Sequence, residues 1–289
     1  MFKAPKSKYL VPDDGSFQVA DSLTHPGHGR WHGKRRLKQA IGNLDRLQKA
    51  LYAHDRYSML LIFQAMDAAG KDSTIRAVME GINPAGCQVF SFKQPTRRDL
   101  DHDFLWRTSR SMPERGRIGI FNRSYYEEVL VVRVHPEILQ TQKLPNSVNP
   151  DTIWDERFES IRDLEKHLAR NGMIILKFWL NVSKEEQKAR FLSRLDVPEK
   201  QWKFNKSDVR ERSFWDAYMQ AYEAALNASS REWAPWYAIP ADSKPYARAC
   251  VAELIVEALG SVGLEYPQPS AADRATFDAA RKELGEHGE

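Results

Sequence analysis

Cysteine is scarce in this chain: only Cys87 and Cys250 occur among 289 residues, far apart and without a CxxC partner. That excludes a disulfide-stapled scaffold and a thiolate zinc cluster. The expectation is two small buried thiols in a reducing compartment. Long apolar runs are missing as well. None approaches the roughly 18 residues needed to cross a bilayer, and the N-terminal MFKAPKSKYLVPDDGSF has no apolar signal-peptide core. The reading is a soluble cytoplasmic protein with no membrane partner. An excess of one charge is also lacking, since the net charge is only +4 with acids and bases mixed along the chain. A globally basic nucleic-acid binder is excluded, so no nucleic-acid partner is expected, while local basic clusters remain admissible. The eight histidines form no metal-ligand spacing: His25, His28 and His32 share a Pro/Gly-rich stretch, and His135 stands apart. No Ser/His/Asp or Cys/His set points to acyl chemistry, and no internal repeat is visible.

What is present is enough to build a sizeable core: 42% of residues are hydrophobic and eight are Trp. Residues 1–33 read as an extended arm. From Lys34, the apolar positions Leu37, Ile41, Leu44, Leu47 and Leu51 recur at helical steps up to His54. That helix needs a partner surface, either the body of the domain or a second subunit. The run 58–65, SMLLIFQA, reads as a buried strand, followed by a glycine loop and a helix from Lys71. The cycle repeats. Strands are expected at 87–92, 117–122, 173–182 and 236–239. Helices are expected at 97–109, from Ser124, at 151–171, after Ser183 with Glu186 in the capping-box position, and at 245–259. The tail beyond Pro267 reads as polar and peripheral. Strands alternating with helices imply a parallel five-stranded sheet in a three-layer α/β/α fold, with ligands at the carboxyl ends of the strands.

The stretch 62-IFQAMDAAGKDSTI-75 carries the chemistry. It follows the phosphate-loop pattern G-x-x-x-x-G-K-[ST] except at two places, where Ala65 replaces the first glycine and Asp72 the hydroxyl residue. Gly70 lets the backbone approach an anion, Lys71 brings a cation, and the helix start offers free N–H groups. Ala68, Ala69, Gly70, Lys71, Asp72, Ser73 and Thr74 are therefore the candidate phosphate cradle. Two carboxylates beside phosphates make sense around a divalent cation, which makes Asp67 the first candidate metal ligand. Asp72 has a second reading as a helix-dipole partner. The third strand ends in Asn122, an amide where such folds often carry a metal-supporting acid. Arg123 then points into the same crevice as a bidentate phosphate fork. Arg133 extends a basic track, and Glu127 or Glu128 positions metal or water; the sequence does not choose between them. The segment 190–212 holds Arg190, Arg194, Lys200, Lys203, Lys206, Arg210 and Arg212 around Trp202 and Phe204. It reads as a lid, about 190–215, that closes over phosphates.

With AMDAAGKDSTI, FNRSYYEEVLVVRV, RLDVPEKQWKF and EWAPWYAIPA in this order, the chain resembles the polyphosphate kinase 2 family from about Lys34 to Pro267. The resemblance implies a P-loop kinase-like domain over 34–267 with a helical lid. The N-terminal arm (1–33) and a polar C-terminal tail (268–289) flank it. It implies Mg²⁺-dependent transfer of the terminal phosphoryl group between inorganic polyphosphate and AMP or ADP, with Mn²⁺ able to stand in and guanine nucleotides admissible beside adenine. Asp67, Lys71 and Arg123 match the family's core catalytic positions, and Glu127 is added as a fourth candidate. Asn122, Arg190, Arg194, Lys200 and Lys203 are assigned to the nucleotide and lid side. The wording looks most like the dual-acting AMP/ADP class. The resemblance also suggests a homodimer or homotetramer. An ATP-dependent nucleotide kinase on the same fold and a non-catalytic polyanion-binding module remain the alternatives.

Overall fold

A computed structural model of the protein describes residues 2–27, 32–146, 148–202 and 204–285. Lys203 and His28 lie outside the described residues. In chain order the regular elements are α1 (Gly33–His54), β1 (Ser58–Gln64), α2 (Lys71–Val78), β2 (Cys87–Ser91), α3 (Arg97–Leu100), α4 (Trp106–Ser109), β3 (Ile118–Asn122) and α5 (Glu127–Val134). There follow α6 (Ile153–Arg170), β4 (Met173–Asn181), α7 (Lys184–Asp196), α8 (Pro198–Gln201), α9 (Lys206–Glu211), α10 (Trp215–Ser229), β5 (Trp236–Pro240), α11 (Lys244–Gly260) and α12 (Ala271–Glu283).

The five strands form one parallel sheet in the order β2-β3-β1-β4-β5. β1 and β4 are buried along their whole length, as strands covered on both faces must be. β1 and β3 lie side by side, with Phe63 opposite Asn122. The chain leaves β1 toward β2 and leaves β3 toward β4, so a crevice opens at the carboxyl ends of these two strands. α11 packs on β4 and β5 and gathers α1 and α2 against it, while α6 packs on β4 and is joined by α5 and α10. The apolar stripe of α1, with Leu44 and Leu51 fully buried, is taken up by α11 of the same chain. The body of the domain is therefore the surface this helix needed.

The arm is extended but not detached. Val11 N donates to Trp236 O at 2.9 Å and Ala238 N to Tyr9 O at 2.8 Å, which adds a short antiparallel contact to the β5 edge. Three local expectations are corrected. Residues 97–109 do not make one helix: Thr96 caps α3, and the chain breaks between Leu100 and Trp106. α5 starts at Glu127 rather than Ser124, because Ser124 Oγ accepts from Tyr126 N and holds a turn there. Ser183 accepts from Glu186 N, but the Glu186 carboxylate pairs with Arg190 instead of returning to the cap. The tail carries α12, opened by a reciprocal Ser270–Asp273 capping box and exposed throughout.

Candidate active site

β1 delivers its last residues into the crevice, and the loop that follows turns sharply into α2. Gly70 has φ 106°, which an L side chain rarely adopts. Ala68 has φ 60° and Arg123 φ 64°, two of the four described non-glycine residues in the left-handed region. Each such residue costs about 1 kcal/mol or more and persists only where its surroundings over-determine it. Part of that determination is Arg190. Its Nη1 donates to Ala68 O at 3.1 Å and Ala69 O at 2.7 Å, and its Nη2 to Ala241 O at 2.7 Å. Gln187 Nε2 holds Asp67 O at 2.9 Å.

Lys71 opens α2 and folds back over the strand end, donating to Ala65 O at 2.6 Å. Burial pulls its ammonium below the ordinary lysine range, helped by Arg123, while Asp67, Glu127 and Asp72 pull the other way. Arg123 Nη2 lies 3.0 Å from Asp67 Oδ1 and its Nη1 3.8 Å from Glu127 Oε2. Glu127 and Asp67 together hold the guanidinium above its usual value against desolvation. Burial raises the Glu127 carboxyl, opposed by Arg123 and Lys71. Gln64 steadies that carboxylate. In the amide orientation that satisfies both of its ends, Nε2 donates to Glu127 Oε1 at 2.9 Å while the amide oxygen accepts from Ser124.

Two clefts flank the Asp67–Arg123 pair. One, of about 740 Å³, is lined by Gly70, Lys71, Asp72, Ser73 and Asn122, with Arg194 and Lys200 from the lid segment. The other, of about 650 Å³, is lined by Arg107, Glu127, His135, Tyr218 and Tyr222, with Asp208 and Glu211 from α9. Asp67, Lys93 and Arg123 line both. The structure therefore brings together Asp67, Lys71, Arg123 and Glu127. It also separates Glu128 from Glu127: Glu128 is buried against Arg157, Nη1 to Oε2 2.9 Å, and accepts from Gln142.

Several expected contacts are not where the sequence suggested. Arg133 lines neither cleft: the second cleft follows α5 through Leu130, Val131 and Val132 to His135, and Arg133 lies outside that lining. Thr74 is buried on the core side of α2, so its hydroxyl does not face the cradle. Ala69 N donates to Met66 O and is turned away from an anion. Asn122 belongs to the loop cleft, where its Nδ2 donates to Asp72 Oδ1 at 2.5 Å. Arg190 lines the loop cleft as well, and is largely buried there as a clamp on loop carbonyls. Arg194 and Lys200 do face the loop cleft, tied to Asp208 and Ser193. Lys93, Arg107, Gln64 and Gln187 escaped the sequence reading, since each lies outside the loop motif and reaches the site only through the fold.

The sequence model of Polyphosphate kinase 2 (PPK2) matches residues 30–265. The chain belongs to the polyphosphate kinase 2 family. An ADP-polyphosphate phosphotransferase of Rhodopseudomonas palustris is 54% identical over 254 residues, 88% of each chain. An AMP/ADP-polyphosphate phosphotransferase of Meiothermus ruber is 42% identical over 269 residues, 92% of this chain and 97% of that one. The crystal structure of polyphosphate kinase 2 from Arthrobacter aurescens superposes with a TM-score of 0.85 at 37% identity, covering 96% of this chain and 99% of the other. Among the described residues no helix is long and apolar enough to cross a membrane.

A family of phosphotransferases implies a divalent ion, and the donors in this chain fit one of a particular kind. No group of three or more His, Cys, Asp or Glu side chains that could cage a metal occurs among the described residues. A hard cation held by one or two carboxylates and completed by substrate oxygens needs no such cage. Asp67, whose Oδ1 takes Arg123, offers such a carboxylate at the seam of the two clefts.

Arg190→Ala in this chain is expected to lower unfolding free energy by about 1–3 kcal/mol, the cost of leaving buried carbonyls unpaired. Chemical denaturation reads it; a loss well under 1 kcal/mol would mean that the loop holds its strained shape without the clamp.

Proposed function

We propose that this protein transfers the terminal phosphoryl group of inorganic polyphosphate to AMP and to ADP by direct in-line displacement. The observation that carries the reading is the shared wall: Asp67 and Arg123 line two separate clefts, so donor and acceptor ends can meet at one pair of side chains. The relatives named for ADP and for AMP/ADP support both acceptors.

In this reading polyphosphate occupies the loop cleft. The first-turn amides of α2 and the Lys71 ammonium receive its end, Lys71 exchanging the carbonyl of Ala65 for a phosphate oxygen. The nucleotide phosphate enters from the opposite cleft. Arg123, aimed by Asp67 and Glu127, reaches the transferring group from between the two. Mg²⁺, with Mn²⁺ able to stand in, supplies neutralisation of the phosphate oxygens when bound, and Asp67 is the residue proposed to hold it. The acceptor is already an anion, so no general base is required. The chain's contribution is positioning and preorganised charge, with no phosphoenzyme. We assign residues 34–267 to the catalytic domain. The lid segment near 190–215 is proposed to move from α8 onward, since Arg190 is bound to the body.

The test is nucleotide chromatography with polyphosphate and Mg²⁺, without ATP. AMP giving ADP and then ATP, absent from a Lys71→Ala control, is the expected result. ATP from ADP alone would restrict the acceptor. Turnover only with ATP as donor would overturn the polyphosphate reading in favour of an ordinary nucleotide kinase.

A further inference from the structure

Arg212 closes the basic run of the lid segment, yet it lines neither cleft. Its guanidinium turns back to the body of the domain. Nη1 donates to Lys184 O at 2.6 Å and to Gln187 Oε1 at 2.8 Å, and the group lies over the Trp215 ring, 6.0 Å from its centroid. Gln187 is 1% exposed, and its other end, Nε2, is the group that donates to Asp67 O. An arginine can only donate and a carbonyl can only accept, so these two neighbours leave the amide one orientation. An unbroken hydrogen-bonded chain therefore runs from Arg212 through Gln187 to Asp67.

Asp67 stands where such support matters. Three successive loop carbonyls, those of Asp67, Ala68 and Ala69, accept from side chains of α7, the first from Gln187 and the other two from Arg190. Ala68, directly after Asp67, has φ 60°, so the peptide that joins them is held in place against backbone strain. That peptide also sets the direction in which the Asp67 side chain leaves the backbone, its Oδ1 3.0 Å from Arg123 Nη2. An ion of the Mg²⁺ kind demands near-ideal octahedral geometry, so a displaced carboxylate binds it less well.

We propose that Gln187, oriented by Arg212 at the returning end of the lid segment, is a positioning residue that sets the Asp67 carboxylate for a divalent cation. This rests on the reading of Asp67 as the residue that holds the ion, and deepens it. Gln187 and Arg212 line neither cleft, so both act through the peptide that follows Asp67. Arg190 is anchored separately, on Ala241 O and Glu186. Of the three loop carbonyls, only that of Asp67 therefore depends on Arg212.

Calorimetry on the full-length protein tests this, with tripolyphosphate titrated in the presence and in the absence of Mn²⁺ and without nucleotide. The readout is the ratio of the two Kd values, which cancels general damage to the loop cleft. Gln187→Glu keeps the size of the side chain and its acceptor for Arg212, but presents an oxygen to Asp67 O. It is expected to shrink the Mn²⁺ enhancement by about tenfold or more, although its added negative charge would by itself favour a cation. Arg212→Ala is expected to act in the same direction. Arg212→Lys is expected to restore the enhancement, since one nitrogen makes both of the arginine's hydrogen bonds and an ammonium can replace it. Asp67→Asn is the reference. An enhancement lost in Asp67→Asn but kept in either Gln187→Glu or Arg212→Ala would overturn the relay and leave Asp67 as the metal residue. An enhancement absent from the wild-type protein, or surviving Asp67→Asn, would overturn the metal reading of Asp67 and the relay with it.

Discussion

Lys71→Ala is expected to cut turnover with polyphosphate about a hundredfold or more, a loss of roughly 3 kcal/mol of transition-state stabilisation, while leaving the fold in place. The asymmetry follows from what Lys71 touches. Its structural contacts are two carbonyls at the end of β1, at 2.6 and 3.4 Å, and a single hydrogen bond contributes about 1 kcal/mol net. Its proposed catalytic value is that of a cation placed where phosphoryl charge develops, in a site whose burial lowers its affinity for the proton. The acids around it, Asp67, Glu127 and Asp72, oppose that shift. Steady-state kinetics beside thermal unfolding separates the two effects. A folded Lys71→Ala protein with a near-normal rate would remove Lys71 from the chemistry and with it the assignment of the loop cleft to the donor.

The largest effect on stability is expected at a site that the chemistry does not use. Lys177 lies in the middle of β4, fully buried, and donates to Glu165 Oε2 at 2.6 Å, Tyr126 Oη at 2.9 Å and Ser229 O at 2.8 Å. Glu165 Oε1 in turn accepts from the Tyr125 and Tyr126 hydroxyls at 3.0 and 2.9 Å. Burial pushes the lysine down to about 8, with Glu165 resisting, and pushes the Glu165 carboxyl up, with Lys177 resisting. Lys177→Met strands a buried carboxylate and should cost about 3–5 kcal/mol in chemical denaturation. The paired variant Lys177→Met/Glu165→Leu removes both charges but takes the acceptor from two buried tyrosine hydroxyls, so it should not recover wild-type stability. Recovery to within about 1 kcal/mol would mean that the tyrosines re-pair elsewhere. Because Tyr125 and Tyr126 directly follow Arg123 and Ser124, the same network pins the turn that holds Arg123 at its left-handed φ.

These two predictions divide along what each level of description could reach. The sheet was legible because β1 and β4 are continuous apolar runs, and the loop because glycine, lysine and a following helix sit within a few consecutive residues, where spacing alone dictates geometry. The break between α3 and α4 was not, since Asp103 turns the chain there, its carboxylate accepting from Leu105 N and its carbonyl from Trp106 N, within a sequence that otherwise reads as helical. Choosing between Glu127 and Glu128 was also beyond the sequence: adjacent residues on a helix point about 100° apart, and only the position of Arg157 on α6 decides which of them is spent. Arg190 looked like its neighbours in a basic run, yet packing buried it against the loop carbonyls at the wall of the cleft, while Arg194 and Lys200 line the same cleft without that clamp. Lys177 did leave a signal, a lone cation in MIILKFWLNV, because a charge in a fully buried strand requires partners; their identity required the tertiary structure. By itself, then, the sequence determined the parallel α/β fold, the phosphate loop and the family, all set by local pattern. Only the tertiary structure decided which of many interchangeable charges face the two clefts, because that choice rests on contacts between residues far apart in the chain.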